Sequence, residues 1–232
     1  MFDAREGTMT SMIASIHEQC GDPDHKLSDL VQRSIFVATV LRDTQVSQWL
    51  RQELDGYTDD SDLPLHRQGN TAALLAWRPG LGWVEAPISD AQRRTVSGFS
   101  LPTGINELEE NYADILRNGG CRCPLNDERQ AEIRALVRLD TDLCLVVPTM
   151  AVNLLMQTVR HGIRDWSGAL LEAGVHGQGS SFSAEEKSAA EQIALTLDTL
   201  LETARESGAA AAAEMSKRKS GLLSRLMDRI TA

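Results

Sequence analysis

The sequence predicts a mainly α-helical protein, a helical bundle that carries one small β-hairpin at about residues 64–88 and ends in a C-terminal amphipathic helix. Apolar residues recur at intervals of three and four over most of the chain, which is the spacing of one buried helix face. A stretch with prolines and glycines interrupts this spacing and predicts two short strands. We expect one helical domain over residues 1–208, followed by an Ala-rich junction and a basic helix over residues 209–232.

The composition, with 42% hydrophobic and 24% charged residues in a chain of 232, allows a sizeable buried core. The N-terminus lacks the apolar core of a signal peptide and no apolar stretch is long enough to span a membrane, so we expect a cytoplasmic protein. The net charge is -10, and because residues 217–232 carry +4, the remaining residues carry -14. An acidic body repels phosphates, which argues against nucleic acid as a partner.

Three short helices are predicted within residues 1–56. The first is centred on Ile13, and the second begins at Ser28, a residue type that suits an N-cap. The third has its apolar face over residues 46–54. It ends at Gly56, because glycine readily adopts the left-handed conformation of a helix C-cap.

The predicted hairpin pairs residues 74–77 with residues 83–88 across a turn at residues 78–82. Pro64 and Pro87 lie near the outer ends of the two strands. Because proline cannot donate a hydrogen bond to a neighbouring strand, we expect the hairpin to lie at an edge rather than in the centre of a sheet.

Helical spacing returns in the second half of the chain. The helices expected there cover residues 105–116, residues 124–139, a long central segment from Pro148 to Gly174, and a segment from Ser183 to about Ala204. Ser183 and Glu186 have the spacing of a capping box, in which each side chain bonds the other residue's backbone N–H. This pair marks the start of the last helix of the main domain.

Two distant blocks share an arrangement of tryptophan, acidic residues and glycine. The first reads W-L-R-Q-E-L-D-G-Y at residues 49–57, and the second reads V-R-H-G-I-R-D-W at 159–166, continues through L-E at 171–172 and ends with S-F at 181–182. Together the blocks resemble the AbiTii family of bacterial abortive-infection proteins. The resemblance implies a role in antiphage defence, with the domain occurring alone or joined to other modules, and it carries over no catalytic residue.

The resemblance covers about residues 10–190 and has two departures. His66-Arg67 stands where an aromatic-arginine pair is more typical, and Gly168 interrupts an expected small apolar run. Trp49 and Trp166 are in phase with the apolar residues of their helices, so we expect both in the core. Five charged residues accompany them and are candidates either for surface salt bridges or for contacts with a partner: Arg51, Glu53, Arg160, Arg164 and Asp165.

No group of residues matches a known catalytic arrangement. Asp24 and the Glu185–Lys187 segment superficially resemble a metal-dependent nuclease motif, but they lie far apart in the chain. The five histidines have no serine or cysteine partner indicated by a motif. We therefore expect no catalytic residues, no bound cofactor and no enzyme activity.

Two further features, the cysteines and a glycine-containing turn, have either a structural role or a ligand-binding role. The four cysteines are expected to be free thiols, because Cys121 and Cys123 are too close in sequence to bridge comfortably. Zinc at this pair would lack the usual C-x-x-C spacing, so we expect no metal site. Gly177–Gly179 is expected to be a turn, and a ligand site on its backbone amides is the alternative.

The basic segment after the alanines has an apolar face flanked by cations. Its candidate interaction residues are Lys217, Arg218, Lys219, Leu222, Leu223, Leu226, Arg229 and Ile230. Such a helix packs against a subunit or partner, completes its own fold, lies on an anionic membrane surface, or binds nucleic acid. As partners we expect a second copy of the chain, another protein of a defence system, or a phage component. As function we expect a non-catalytic sensor, adaptor or oligomerisation module. The alternative is a toxin effector, either a nuclease or a membrane-perturbing protein.

Overall fold

A computed structural model describes residues 11–58, 63–178, 181–193 and 195–212 of the chain. The described helices are, in chain order, α1 (Met12–Cys20), α2 (Leu27–Leu41), α3 (Thr44–Asp55), α4 (Asp90–Val96), α5 (Ile105–Glu110), α6 (Tyr112–Arg117), α7 (Asp127–Val137), α8 (Thr149–Glu172), α9 (Ala184–Glu191) and α10 (197–212). The strands are β1 (Gln68–Gly69), β2 (Ala73–Arg78), β3 (Gly82–Glu85), β4 (Phe99–Ser100), β5 (Gly120–Pro124) and β6 (Leu143–Pro148). The fold is therefore mainly helical, as predicted.

The chain divides into two units. Among the described residues, the helical unit comprises residues 11–55 together with residues 158–208, and the sheet unit comprises residues 56–157 together with residues 209–212. The long helix α8 supplies residues 149–157 to the sheet unit and residues 158–172 to the helical unit.

The helical unit buries apolar faces of α1, α2, α3 and the second part of α8. The turn between α2 and α3 is tight, because Arg42 adopts the left-handed conformation with φ 63°. Asp43 then caps α3 through its Oδ1, which accepts from the backbone N–H of Val46 at 3.1 Å. The helix ends as predicted at Gly56, where φ is 100°.

The prediction that Ser28 caps α2 is wrong. The N-cap is Lys26, whose side chain makes no capping hydrogen bond, and the helix begins one residue before Ser28. Leu27, which is 1% exposed, is thereby placed on the buried face of the helix. Burial of a leucine stabilises the fold by about 1.5–3 kcal/mol, more than a serine cap contributes.

The prediction of a single small hairpin is correct in part and too limited. β2 and β3 form the predicted antiparallel hairpin, with Leu75 opposite Glu85 and Trp77 opposite Trp83. This hairpin belongs to a four-stranded antiparallel sheet of order β3-β2-β6-β5, so β3 lies at an edge and β2 inside. A second, two-stranded sheet pairs β1 with β4.

One face of the larger sheet forms the core of the sheet unit with α4 and α7. Leu74 lies opposite Leu145, and these leucines pack in one cluster with Val96 of α4 and Ile133 of α7. On the other face, the indoles of Trp77 and Trp83 meet edge to face with their centroids 5.6 Å apart.

Two helices expected to be continuous are each divided in two. α5 ends and α6 begins at Asn111, whose side-chain amide donates to the carbonyl of Glu107 at 2.9 Å. α9 ends at Gln192, and Thr196 caps a new helix through its Oγ1, which accepts from the N–H of Thr199 at 3.3 Å. Asparagine and threonine side chains compete with the helix for these backbone groups, which explains both interruptions.

The Ala-rich run is helical as far as residue 212, as part of α10. The predicted basic amphipathic helix, with its candidate interaction residues from Lys217 to Ile230, lies outside the described residues. The proposed domain boundary at residue 208 stays a prediction.

Candidate functional site

The charged residues of the first block have different environments. Glu53 is completely buried, and its Oε1 accepts a hydrogen bond from the indole N–H of Trp49 at 3.0 Å. Arg51, two residues earlier, is exposed, and its guanidinium lies 3.5 Å from the hydroxyl oxygen of Thr39. Glu53 therefore fixes the indole of Trp49 through a hydrogen bond within α3, whereas Arg51 is accessible to solvent.

Arg160 of the second block is 8% exposed and holds the loop between α1 and α2. Its guanidinium donates to the carbonyl of Asp22 at 3.0 Å and to that of His25 at 2.6 Å. Hydrogen bonds from a charged donor are stronger than neutral ones, so this residue fixes a loop that joins two core helices.

Trp166 of the same block is 4% exposed and contacts the turn between α2 and α3. Its indole N–H donates to Oδ2 of Asp43 at 3.1 Å, while Oδ1 of the same carboxylate caps α3. The aspartate was not singled out from the sequence. Its position directly before a helix-like pattern was the available signal.

A group of titratable residues lies where α8 packs on α1. We call it the α1/α8 cluster, and it consists of His17, Cys20, His161, Arg164 and Asp165. Nδ1 of His17 lies 3.0 Å from the carbonyl oxygen of Arg164 and 3.2 Å from the hydroxyl oxygen of Ser167. The Arg164 side chain itself is exposed.

The Asp165 carboxylate is the least satisfied group of the cluster. Its Oδ2 is buried, yet it has no hydrogen-bond partner in the part of the chain that the structure describes. Burial raises the pKa of Asp165, although the charges of His161, Arg164 and His17 oppose this shift. Buried oxygens of this kind are rare in folded proteins and call for an explanation.

Burial also shifts the pKa values of two neighbouring groups, His161 and Cys20. It lowers the pKa of His161, an effect that the Asp165 carboxylate opposes. It raises the pKa of the Cys20 thiol to about 12, against the nearby charges of Arg160 and Arg164. At neutral pH, Cys20 is therefore protonated and unreactive.

Of the five charged residues singled out in the blocks, the structure brings three together. Arg160, Arg164 and Asp165 all surround the buried Cys20. Arg51 and Glu53 lie on α3 and are tied to Thr39 and Trp49 instead. The sequence did not indicate that His17 belongs with the second block, because the contact joins residues 147 positions apart.

A cavity of about 310 Å³ lies beside the second block. Arg42 and Asp43 line one side, and Trp166 and Glu191 line another. It is a mixed polar and apolar recess within the helical unit, next to the α2–α3 turn.

The turn after α8 tests the idea of an anion site on the Gly177 backbone. Oε1 of Glu186 accepts from the N–H groups of His176 at 3.0 Å and Gly177 at 2.8 Å, and Oε2 accepts from that of Ser183 at 2.8 Å. The predicted capping box is confirmed. The Gly177 amide is thus already bound by the protein's own carboxylate, and the Gln178 amide donates to the carbonyl of Ser181 at 2.9 Å, whereas Gly179 lies outside the described residues.

We expect Glu186→Gln to lower the free energy of unfolding by about 1 kcal/mol at neutral pH, because a charged acceptor for three N–H groups becomes neutral. Burial raises the pKa of Glu186, but the hydrogen bonds from Gly177, Ser183 and His176 outweigh it and lower the pKa below its ordinary 4.5. The stabilisation is complete above pH 4.5 and is lost as pH falls through the depressed value.

Urea unfolding of both proteins between neutral and acidic pH measures this difference. The gap between wild type and variant should close in acid, and a gap that is constant with pH would contradict the assignment. Glu185→Gln is the matched control, because Glu185 is the exposed neighbour in the same first turn.

Arg67, one residue of the pair that departs from the family pattern, belongs to the core of the sheet unit. It is completely buried at the end of a single 3₁₀ turn, Leu65–Arg67. Its guanidinium donates to the carbonyls of Leu101 at 2.9 Å and Thr103 at 2.7 Å, and lies 4.9 Å from the centre of the Tyr57 ring. The arginine of the His66-Arg67 pair thus connects the turn to the segment that follows β4 and to Tyr57.

The residues that suggested a nuclease do not converge on a metal site. Within the described ranges, no three side chains of His, Cys, Asp or Glu are placed to hold a metal ion. The backbone N–H of Asp24 donates to Oδ1 of Asp22 at 3.0 Å in the α1–α2 loop. In the same ranges, no helix has the length and hydropathy needed to cross a membrane.

The AbiTii family profile matches residues 11–195, which include both blocks and the α1/α8 cluster. Neither a curated protein nor a solved structure matches the chain.

Proposed function

Because the chain belongs to the AbiTii family, we propose that it serves abortive-infection defence as a non-catalytic sensor, adaptor or oligomerisation module that binds a protein partner through the α1/α8 cluster. Family membership implies the defence role. The mode of action rests on the geometry of the described residues. Its main support is the buried Asp165 Oδ2 that lacks a hydrogen-bond partner among them.

An unsatisfied buried oxygen reduces stability by about 1–3 kcal/mol when nothing binds it. Because Oδ2 is buried, a partner's donor would reach it only after local opening of the α1–α8 contact, whereas the exposed Arg164 would donate directly to an acidic group of the same partner. The cluster thus combines an exposed guanidinium with a carboxylate oxygen that lacks a hydrogen-bond partner among the described residues. This arrangement suits a polar protein surface that presents an acidic group to Arg164.

The other polar residues of the family blocks support a scaffold rather than a catalytic centre. Glu53 bonds Trp49, Arg160 bonds the α1–α2 loop, and Trp166 bonds Asp43. These contacts use the polar groups to fix the core of the helical unit. The exposed Arg51 and Arg164 stay available for intermolecular contacts.

Phage protection by cells expressing each variant tests the proposal. Arg164→Glu should reduce protection at least about tenfold, which corresponds to a loss of about 1.4 kcal/mol in binding. Arg205→Glu is the matched control, since Arg205 is an exposed arginine of the same unit on α10. Equal protection by both variants, with equal protein levels, would rule out the α1/α8 cluster as the binding surface.

Three further measurements on infected cells separate this role from a toxin effector: RNA and DNA integrity, membrane potential and the oligomeric state of the protein. A non-catalytic module should associate with itself or a partner without degrading nucleic acid by its own action. Purified protein that cleaves RNA or DNA, with the cleavage lost on changing one carboxylate, would overturn the proposal.

A membrane-perturbing effector is the second candidate, and the charge distribution favours it. Residues 217–232 carry +4 while the rest of the chain carries -14, and cations are attracted to anionic lipid surfaces. If this candidate is correct, deleting residues 215–232 should abolish both membrane depolarisation and protection. A deletion variant that still protects would exclude it.

The unsatisfied carboxylate gives a further expected result. Asp165→Asn should stabilise the free protein at neutral pH, by up to about 1 kcal/mol, because a half-buried carboxylate with one buried oxygen lacking a hydrogen bond becomes neutral. The folded pKa of Asp165 is raised above its ordinary 3.8 by burial, so wild-type stability falls as pH rises from 3.8 through the folded value. The stability of the Asp165→Asn variant should not decrease over this pH range.

Thermal unfolding from acidic to neutral pH measures the effect, with Asp198→Asn, an exposed aspartate of α10, as the control. A variant that is more stable yet less protective would be the pattern expected of a binding residue. An Asp165→Asn protein that is less stable at neutral pH would show that the carboxylate is satisfied within the fold.

A further inference from the structure

The sheet unit contains a second chemical group of residues that the proposed function does not use. Cys121 and Cys123 lie on β5, separated by one residue, so their side chains point to the same face of the sheet. β5 is the last strand in the order β3-β2-β6-β5. Both thiols are half-buried and neither forms a disulfide.

A small cavity opens onto the first of these thiols. It has a volume of about 200 Å³ and lies between β5 and the helices α5 and α6. Cys121 lines it together with polar side chains, among them Glu107, Asn111 and Asn118. Since about 10–15 Å³ of such space holds one water molecule, the cavity admits a small polar molecule to the sulfur.

The two thiols differ in acidity. The neighbouring Cys123 thiol lowers the pKa of Cys121 by hydrogen bonding to it, and this outweighs burial and the Glu107 carboxylate, which both raise it. The same contact and burial raise the pKa of Cys123. Burial also raises the pKa of Cys144 and of Cys20. Thiolates rather than thiols are the nucleophiles, so Cys121 is the most reactive of the four.

From the same-face pair and the cavity we propose that Cys121 is a site of oxidation by hydrogen peroxide, and that Cys123 resolves the product to a disulfide. The Cys121 thiolate attacks one peroxide oxygen, the O–O bond breaks, and the departing hydroxide takes up a proton to form water. Cys121 is then a sulfenic acid. The Cys123 sulfur then attacks the Cys121 sulfur, so that the S–S bond forms and the S–O bond of the sulfenic acid breaks. The leaving hydroxide combines with the thiol proton as a second water. In total, two thiols and one peroxide give one disulfide and two waters.

The geometry also limits the oxidant and makes the product reversible. Two residues apart on a strand, the α-carbons and the same-face β-carbons are about 6.6–6.8 Å apart, whereas a disulfide needs β-carbons about 3.5–4.5 Å apart. The bond therefore forms only if β5 bends locally away from its extended pairing with β6, and it is strained. Strained disulfides are readily reduced, which is typical of regulatory rather than structural bonds. The cavity of about 200 Å³ is too small for glutathione disulfide, a pair of linked tripeptides, so it admits only a small oxidant to Cys121.

Mass spectrometry of the purified full-length chain after treatment with hydrogen peroxide tests the proposal. At limiting peroxide, the chain should lose the mass of two hydrogens, and the loss should map to the peptides that contain Cys121 and Cys123. Cys123→Ser should instead gain one oxygen at Cys121, trapped by dimedone. Cys144→Ala should behave as wild type. Glutathione disulfide at the same concentration should react at least about tenfold more slowly than hydrogen peroxide.

Alkylation by iodoacetamide supplies a measurement that needs no variant. Cys121 should react at least about tenfold faster than Cys20 and Cys144 at neutral pH, since one pKa unit changes the thiolate fraction about tenfold. Glu107→Gln should increase the rate at Cys121, because the opposing carboxylate is removed. Peroxide oxidation that begins at Cys20 or Cys144, or a Cys121 sulfenic acid that persists beside an intact Cys123, would overturn the assignment.

Discussion

Arg67→Ala should lower the free energy of unfolding by about 3–5 kcal/mol, the largest effect expected of any single substitution in the sheet unit. The completely buried guanidinium donates to the carbonyls of Leu101 and Thr103, and the alanine variant would leave both without this donor. It would also remove the cation from the face of the Tyr57 ring and create a cavity. Chemical denaturation followed by circular dichroism measures the loss.

Arg67→Lys distinguishes the geometry of the guanidinium from its charge. The ammonium of lysine is a point charge and does not reproduce the planar fork that reaches two carbonyls, so we expect most of the destabilisation to persist. Arg78→Ala is the control, because Arg78 is an exposed arginine of the same unit and should change stability by less than about 0.5 kcal/mol. Full stability of Arg67→Lys would show that charge alone is required.

Gly162→Val should lower the free energy of unfolding by about 2–3 kcal/mol, because it inserts side-chain atoms into a filled contact between α8 and α3. A Cβ at this position would lie 2.8 Å from Cη2 of Trp49. The indole has no room to move, since Trp49 is 3% exposed and its N–H is bonded to the buried Glu53. Thermal and urea unfolding measure the change.

Gly168→Ala is the matched control on the same helix. Its Cβ would lie 3.3 Å from Cε1 of His17, whose ring is only half-buried and can adjust. Removing a helical glycine gains about 0.5–1 kcal/mol, which should offset this tighter contact and leave stability nearly unchanged. If both substitutions had the same effect, the contact with Trp49 would not be the cause.

Features with local causes were predictable from the sequence. The apolar spacing of α8 and its ends at Pro148 and Gly174 depend on residues of that segment alone. The capping box of Ser183 and Glu186 is likewise a contact over three residues. The AbiTii resemblance was predicted from the two blocks and is confirmed by the match over residues 11–195.

Features that depend on distant partners were not predictable. Leu143–Pro148 is a short continuous apolar run, and such a run fits a buried strand or a buried helix equally well until its pairing with β2 and β5 is known. Arginine is mostly exposed in proteins, so sequence gave no reason to place Arg67 in a core. The α1/α8 cluster depends on two helices that are far apart in the chain, and no local pattern links His17 with Asp165.

The positions of the four tryptophans provide an optical means of following the two units separately. Trp49 and Trp166 are buried in the helical unit, whereas Trp77 and Trp83 form the edge-to-face pair of the sheet unit. A Trp77→Phe, Trp83→Phe double variant would leave fluorescence only from the helical unit, and the reciprocal variant only from the sheet unit. Emission spectra during denaturation would then show whether the units unfold in one transition or in two.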